Sequence, residues 1–378
     1  MFLQNFLRIF EYSYGRHKNV VLLNEKISQQ EIYNMKVKII KRLSLALAML
    51  ILISALLTSC AMKPIKSTEE EAKVIGTIGK YEVRYEELRY IVLNHKVDMA
   101  LEFGENIWTE NPEEYEAELI KRVNETIVSD YYALQAMADY YYVGGGAEGM
   151  MNEEAILNAV QETVELAVDE CGSKNKYKKL LEDQYLTDNL FRFYNAAEEC
   201  ATELFYILSS DLGIIDGSEE YITEYMHSGK FIRTNHIFIK GATAENLELA
   251  QTLYAQIKES SEPELELIML KGVYCADYTM TTRHGKYFAR YTSDYGDEYE
   301  LAAFDLKEGK LSDIVKTPEG YYIIIRLELE EDYLKENYED FRADIMGSEF
   351  NENLAEFKKD LTFELNEYGK TINYLEIE

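Results

Sequence analysis

Residues 299–325 read YELAAFDLKEGKLSDIVKTPEGYYIII and concentrate the local structural signals of this 378-residue chain. Their first part predicts a short helix over Glu298–Leu306. Two strands follow, at Leu311–Lys316 and at Tyr321–Leu329, where β-branched and aromatic residues are frequent. The stretch therefore predicts the closing part of a small domain that contains both a sheet and helices.

The residues before this stretch complete the predicted domain. Phe231–Lys240 has strand composition, and Thr243–Lys258 follows it as an amphipathic helix. A short helix over Leu265–Leu270 and an irregular loop through Arg283–Gly285 then lead to a strand at Lys286–Arg290. The order β-α-α-β-α-β-β within roughly a hundred residues predicts a small mixed-sheet domain.

The sequence on either side of this domain is mostly helical. We expect one helix through Leu119–Leu134, a second from Asn152 to Gly172, a third over Lys176–Leu208 and a fourth from Ser218 to His227. A last helix is expected over Glu331–Tyr368. Two strands complete the prediction: Val74–Val83 alternates about a Gly79-Lys80 turn, and Thr371–Ile377 alternates at the C-terminus. The fold class is therefore α+β.

Charge and composition limit the classes of function. Hydrophobic residues make up 47% of the chain, enough for a buried core, and 31 tyrosines suit either that core or a binding surface. Asp and Glu number 69 against 39 Lys and Arg, a formal net charge of -30. A nucleic-acid partner is disfavoured, because phosphate binding needs a basic surface.

Cysteines and glycines do not indicate a metal or nucleotide site. Cys171, Cys200 and Cys275 have no metal-like spacing, and at most one disulfide can form, with Cys171 and Cys200 as the candidate pair. Free buried thiols are favoured. The run Gly144–Gly149 has no preceding strand and lacks phosphate-loop spacing, so we interpret it as a connection between helices. We expect no metal and no cofactor.

An export signal is predicted near the N-terminus. From Met35 a basic segment precedes the apolar stretch Leu43–Leu57, which is short for a membrane span. Leu57-Thr58-Ser59-Cys60 resembles the lipobox of bacterial lipoproteins, in which the cysteine is lipidated and becomes the N-terminus after cleavage. An uncleaved membrane anchor is the alternative. Two acyl chains would anchor the protein stably.

Four segments carry a resemblance to a known family. They are NHIFIK (235–240), YCAD (274–277), YELAAFDLKEGKLSDIVKT (299–317) and TPEGYYIII (317–325). In order and spacing they resemble a parvulin-type (PpiC-like) peptidyl-prolyl isomerase domain over residues 231–330. With the lipobox and the flanking helices, the whole chain resembles exported PrsA-like and SurA-like foldases. In those families the helices before and after the isomerase domain form one chaperone domain.

The resemblance implies a set of site residues. His236 matches a histidine on the floor of the site, Thr317 matches a neighbouring hydroxyl, and Cys275 or Asp277 stands where a polar partner is found. Phe304 matches one wall of the cup that receives the proline ring. Tyr295 and Tyr299 stand where Met and Phe commonly line that cup, and we expect them to line it here.

Tyr322 is the principal departure from the family pattern, because the family usually has a second histidine there. Its phenol can donate and accept a hydrogen bond, so it is a candidate replacement for the imidazole, although it is also an ordinary strand aromatic. His236 likewise has two interpretations, a buried histidine that links strands or a member of the catalytic network. Of the glycine-rich turn before the second strand, Gly285 is kept.

The sequence thus predicts six segments, of which 231–330 is the parvulin-like domain. The others are an upstream extension (1–34), a signal peptide (35–59), a lipidated tether (60–73), a helical chaperone region (74–230) and a C-terminal helix and strand that pack on it (331–378). Two functions remain open. One is an extracytoplasmic, membrane-anchored isomerase that assists newly secreted, proline-containing polypeptides; the other is a holdase with a degenerate parvulin domain. Monomer and homodimer are both compatible with the sequence.

Overall fold

A computed structural model of the chain describes residues 67–280 and 284–378. The predicted signal peptide, Cys60 and residues 1–34 lie outside this part. The described residues form two compact units. One comprises residues 67–207 together with 354–378, and the other comprises residues 208–353.

The first unit begins with a hairpin and continues as a series of helices. Strands β1 (Val74–Ile78) and β2 (Tyr81–Arg84) pair about the predicted turn, where Gly79 has a φ of 57°. Its helices are α1 (Tyr85–Phe103), α2 (Ile107–Glu110), α3 (Pro112–Ile127), α4 (Asp130–Gly144), α5 (Glu153–Cys171), α6 (Lys174–Asp183) and α7 (Asp188–Tyr206). A π turn follows at Ile207–Asp211.

Helix ends lie where capping residues stop or start the backbone hydrogen bonds. The Asn152 side chain accepts from Ala155 N at the start of α5, and Gly172 ends that helix with a left-handed φ of 75°. Three of the predicted helices were too long, since the last one, Glu331–Tyr368, is interrupted at Asn337, ends at Lys358 and is followed by a strand at Phe363–Leu365. The first is divided around Ser129 into α3 and α4, and the third is divided before Thr187, whose hydroxyl caps α7.

The C-terminus returns to the first strand. Strand β7 (Phe363–Leu365) pairs antiparallel with β1, which gives the three-stranded order β2-β1-β7. The strand predicted at Thr371–Ile377 was wrong, since that segment contains short 3-10 turns at Gly369–Thr371 and Tyr374–Glu376. Tyr374 and Ile377 are nevertheless buried in the core of this unit.

The second unit contains the predicted order of elements. Helix α8 (Glu219–His227) precedes β3 (Phe231–Lys240), and then come α9 (Ala244–Glu259), α10 (Pro263–Tyr274), β4 (Lys286–Ala289), α11 (Asp297–Asp305), β5 (Val315–Thr317) and β6 (Gly320–Leu327). Helices α12 (Glu331–Glu336) and α13 (Tyr338–Lys358) follow, and α13 continues past residue 353 into the first unit. The predicted α+β class and the order β-α-α-β-α-β-β are confirmed.

The four strands of this unit form an antiparallel sheet in the order β4-β3-β6-β5. Because strand side chains alternate between faces, β3 presents Ile237 and Ile239 to one face and His236 and Phe238 to the other. The first face packs on α9 and α10, through Leu253 and other apolar residues. The second face packs on α11 and contains the predicted site residues.

No helix among residues 67–280 and 284–378 is both long and apolar enough to cross a membrane.

Candidate functional site

His236 lies in the middle of the second face of the sheet. It sits on the central strand β3, opposite Ile324 of β6, and its side chain has no exposed surface. The rings of Tyr295, Tyr299 and Tyr322 each meet the imidazole edge-on, with centroids 4.7, 5.3 and 5.1 Å away. Aromatic packing of this kind fixes the plane of the imidazole.

The two imidazole nitrogens face different polar groups. Nδ1 lies 2.9 Å from the Tyr299 hydroxyl, which is itself 2.9 Å from Thr234 Oγ1. Nε2 lies 3.2 Å from Asp277 Oδ2. That pair lies within ion-pair distance but does not meet hydrogen-bond geometry, so the carboxylate acts on Nε2 through its electric field without a directed bond.

Asp277 is oriented by its own turn. Its Oδ1 accepts hydrogen bonds from the backbone N and the hydroxyl of Thr279, at 2.8 and 2.7 Å, and its Oδ2 accepts from the Tyr295 hydroxyl at 3.0 Å. Burial alone would raise the pKa of Asp277, but its interactions with His236 and Thr279 outweigh burial and hold that pKa below its usual range. Asp277 is therefore a carboxylate at neutral pH.

Burial determines the charge of His236. Removal from water lowers its pKa, and the nearby Asp277 carboxylate offsets this lowering only in part. The imidazole is therefore neutral at pH 7. The floor of the site then has one negative charge, on Asp277, and a neutral ring that can both donate and accept.

Cys275 lies beside His236 but is not poised for nucleophilic chemistry. Its Sγ accepts a hydrogen bond from the backbone N of Phe238 at 3.3 Å. Burial raises the pKa of the Cys275 thiol, so the reactive thiolate is disfavoured. Cys275, together with the Ala276 N–H that donates to the Phe238 carbonyl at 2.8 Å, holds the loop after α10 against β3.

The structure does not join two other predicted residues to the hydrogen-bond network. The Thr317 hydroxyl donates to the Gly320 carbonyl at 3.3 Å, within the β5–β6 turn. Tyr322 stacks on Phe238, with centroids 4.4 Å apart and an interplanar angle of 20°. Burial raises the pKa of Tyr322, so its phenol is protonated at neutral pH.

The three predicted wall residues occupy different depths. Tyr295 is half-buried, and its ring meets the imidazole edge-on at a centroid distance of 4.7 Å. Tyr299 has no exposed surface and its hydroxyl contacts the imidazole Nδ1, so it belongs to the polar network and cannot line an open cup. Phe304 is half-buried; its ring meets Phe288 edge-on at 5.7 Å, and the Arg290 guanidinium lies 4.9 Å from it.

Sequence reasoning missed Thr234, Thr279 and Phe238. Alternation along β3 places Thr234, His236 and Phe238 on one face, so the period of two was a usable signal for two of them. Nothing in the sequence pairs Thr279 with Asp277 except the short Asp-X-Thr turn itself. In residues 67–280 and 284–378, no three His, Cys, Asp or Glu side chains are arranged to hold a metal ion.

Comparisons with known proteins identify solved structures but no sequence relatives. No protein-family model matches the chain, and no curated protein matches it. The chain is similar in structure to a peptidylprolyl isomerase, PrsA, from Bacillus anthracis, with 18% identity over 60% of this chain and 94% of that one, and a TM-score of 0.25. The foldase PrsA from Streptococcus pneumoniae has 10% identity over 76% and 93%, with a TM-score of 0.31.

SurA-like chaperones of Campylobacter jejuni are also matched, with 14% identity over 75% of this chain and 94% of that one, and a TM-score of 0.22. At such TM-scores these likenesses place no activity on particular residues. Among solved structures, the chain is thus similar to PrsA-like and SurA-like foldases.

Proposed function

We propose that the chain is an extracytoplasmic foldase whose second unit is a parvulin-type peptidyl-prolyl cis-trans isomerase. The observation that carries this proposal is the polar network under the aromatic cluster on the sheet. His236 lies between Tyr299 and Asp277, at 2.9 and 3.2 Å, and Tyr295 covers the ring. We also propose that Cys60 is lipidated and tethers the protein to the bacterial cell membrane.

The chemistry requires little beyond such a site. Rotation about an X-Pro bond crosses a barrier of roughly 18–20 kcal/mol, because amide resonance is lost in the twisted state. An apolar surface for the proline ring and a few oriented polar groups lower that barrier tenfold for each ~1.4 kcal/mol of preferential stabilisation. No bond is broken, so no cofactor is required.

Exposed apolar side chains of the second unit suit an unfolded client. On α10 and the turn after it, Met269, Val273 and Tyr278 are 64, 74 and 88% exposed. Asp277 of the network precedes Tyr278 directly, so apolar surface begins at the edge of the site. Exposed apolar side chains of this kind bind extended polypeptide segments.

A second function, a holdase with an inactive isomerase domain, is favoured by one observation. Tyr322 is 4% exposed and stacks on Phe238, so a bulky ring fills part of the space over the sheet. The first unit also exposes apolar side chains, among them Leu101 and Val143 at 76 and 79%. A protein that only holds unfolded chains needs those surfaces and no turnover.

The test is proline-limited refolding of a reporter protein with catalytic amounts of the purified chain. If the isomerase proposal holds, the wild type accelerates the slow phase and His236→Ala reduces the acceleration by about tenfold or more. Tyr321→Phe is the matched control, because Tyr321 lies on the neighbouring strand β6 and faces the opposite side of the sheet. It should behave like wild type.

A different pattern of refolding results would favour the holdase function over the isomerase function. The isomerase proposal is contradicted if the wild type does not accelerate refolding, Tyr322→His does accelerate it, and the wild type still suppresses aggregation of an unfolded client. The anchor is tested separately by metabolic labelling with a fatty-acid analogue, which should label the wild type and not Cys60→Ala.

A further inference from the structure

The hydroxyl of Tyr299 performs a function that packing does not require. The Tyr299 ring is fully buried between α11 and the sheet and lies against Phe288 and Tyr322. A phenylalanine would fill the same volume. A buried hydroxyl costs free energy unless it is paired, and this one has two partners, His236 Nδ1 and Thr234 Oγ1, each at 2.9 Å.

The neighbours of His236 decide which nitrogen carries its proton. The Asp277 carboxylate is 3.2 Å from Nε2. A lone pair on Nε2 would face that negative charge, whereas an N–H would be attracted to it. The proton therefore resides on Nε2, and Nδ1 is left with the lone pair.

The directions of the remaining bonds follow from this assignment. Because Nδ1 can only accept in this tautomer, the Tyr299 hydroxyl donates to it. The Tyr299 oxygen then accepts from the Thr234 hydroxyl. The polar contacts thus form one chain in which every proton donor points the same way. Thr234 donates to Tyr299, Tyr299 donates to His236 Nδ1, and the His236 Nε2–H faces Asp277.

We propose that Tyr299 is a positioning residue: the Asp277 carboxylate keeps the proton on Nε2, and the Tyr299 hydroxyl, bound to Nδ1, fixes the plane of the His236 imidazole. The Tyr299 hydroxyl binds Nδ1, so the imidazole cannot flip without losing that bond. His236 then presents one unchanging donor, Nε2–H, beside the Asp277 carboxylate. The significance of this arrangement for turnover rests on the proposed isomerase function.

The experiment uses the full chain labelled with 15N-histidine, and nitrogen chemical shifts of the imidazoles report the tautomer. The spectrum of His236→Gln identifies the His236 resonances among those of the five histidines. We expect wild-type His236 to show a protonated Nε2 and a hydrogen-bonded, unprotonated Nδ1. In Tyr299→Phe, the Nδ1 resonance should move toward that of an unbonded, unprotonated nitrogen, while Nε2 stays protonated beside Asp277.

Two further variants make the result specific. Thr234→Val removes the group that donates to Tyr299 and should shift His236 Nδ1 in the same direction by a smaller amount. Tyr321→Phe removes a phenol from the opposite face of the sheet and should leave His236 unchanged. In the refolding assay, Tyr299→Phe should lower kcat by about tenfold with little change in KM.

The outcomes separate this inference from the proposed function. Unchanged His236 resonances in a folded Tyr299→Phe variant overturn the positioning role, whatever the activity. If the resonances move as expected and the wild type has no isomerase activity, the positioning role stands and the isomerase proposal fails.

Discussion

At the scale of single residues, close backbone approach explains why a glycine stands beside the site. Gly285 has a φ of 73°, a left-handed conformation that favours glycine. A Cβ at this position would lie 2.1 Å from the carbonyl oxygen of Thr234 on β3. The glycine therefore lets the chain enter β4 while touching the strand that carries His236.

We predict that Gly285→Ala lowers the free energy of unfolding by about 2 kcal/mol or more, because strain and a backbone clash add. Gly272→Ala is the matched control. Gly272 lies in α10, where an added Cβ meets no atom within 4 Å, so alanine should stabilise by about 0.5–1 kcal/mol. Urea unfolding of both variants checks the prediction, and equal effects would contradict it.

At the scale of elements, a buried carboxyl links two helices of the first unit. Glu87 of α1 is 5% exposed and accepts a hydrogen bond from the Tyr132 hydroxyl of α4 at 2.6 Å. Burial raises the pKa of Glu87 to about 8; the nearby Glu86 adds to the rise, and the bond from Tyr132 opposes it. The buried Tyr131 and the half-buried Tyr194 also interact electrostatically with Glu87.

The raised pKa makes the packing of α1 on α4 pH-dependent. The folded state binds the Glu87 proton more tightly than the unfolded state does, so the stabilisation is complete below the unfolded value of about 4.3. It is lost as pH rises from there to about 8. The loss has an upper limit of about 5 kcal/mol.

We predict that Glu87→Gln removes most of this pH dependence. The amide is neutral at every pH and its oxygen can still accept from Tyr132, so the variant should be more stable than the wild type at pH 8. Denaturant unfolding at pH 5 and pH 8 measures the difference. Glu82→Gln, at an exposed position on β2, should keep the wild-type slope; parallel slopes for Glu87→Gln and wild type would disprove the idea.

At the scale of the whole molecule, the two ends of the described chain belong to one unit and a second unit is inserted between them. Pairing of β7 with β1 closes the first unit, and Gly76 permits it, because a Cβ there would lie 2.4 Å from the Glu364 carbonyl oxygen. The inserted unit spans 208–353 and contains the predicted 231–330 segment together with flanking helices.

Aromatic contacts explain the wider boundaries. Phe341 of α13 meets the rings of Phe231 on β3 and Tyr287 on β4, each at a centroid distance of 5.1 Å. On α8, Tyr225 is buried and its hydroxyl lies 3.1 Å from Ser348 Oγ. Helices α8 and α13 thus cover the part of the sheet next to β4.

We predict that a fragment of residues 208–353 folds cooperatively, whereas a fragment of residues 231–330 is markedly less stable or unfolded. The shorter fragment exposes Phe231 and Tyr287, and loss of a buried aromatic partner costs about 3–5 kcal/mol. Circular dichroism during urea unfolding compares the two. Equal midpoints would favour the narrower domain.

The sequence by itself determined the type and order of the elements of the inserted sheet, the turn at Gly79-Lys80, and the place of His236 on a strand. These features depend on apolar period, capping residues and turn residues, which act over a few positions of the chain. Only the tertiary structure decided that Phe363–Leu365 pairs with β1, that α8 and α13 belong with the inserted sheet, and that Tyr299 instead of Tyr322 binds the imidazole. Strand partners and side-chain hydrogen bonds depend on residues distant in sequence and on which face of the sheet each helix covers, and local patterns do not encode them.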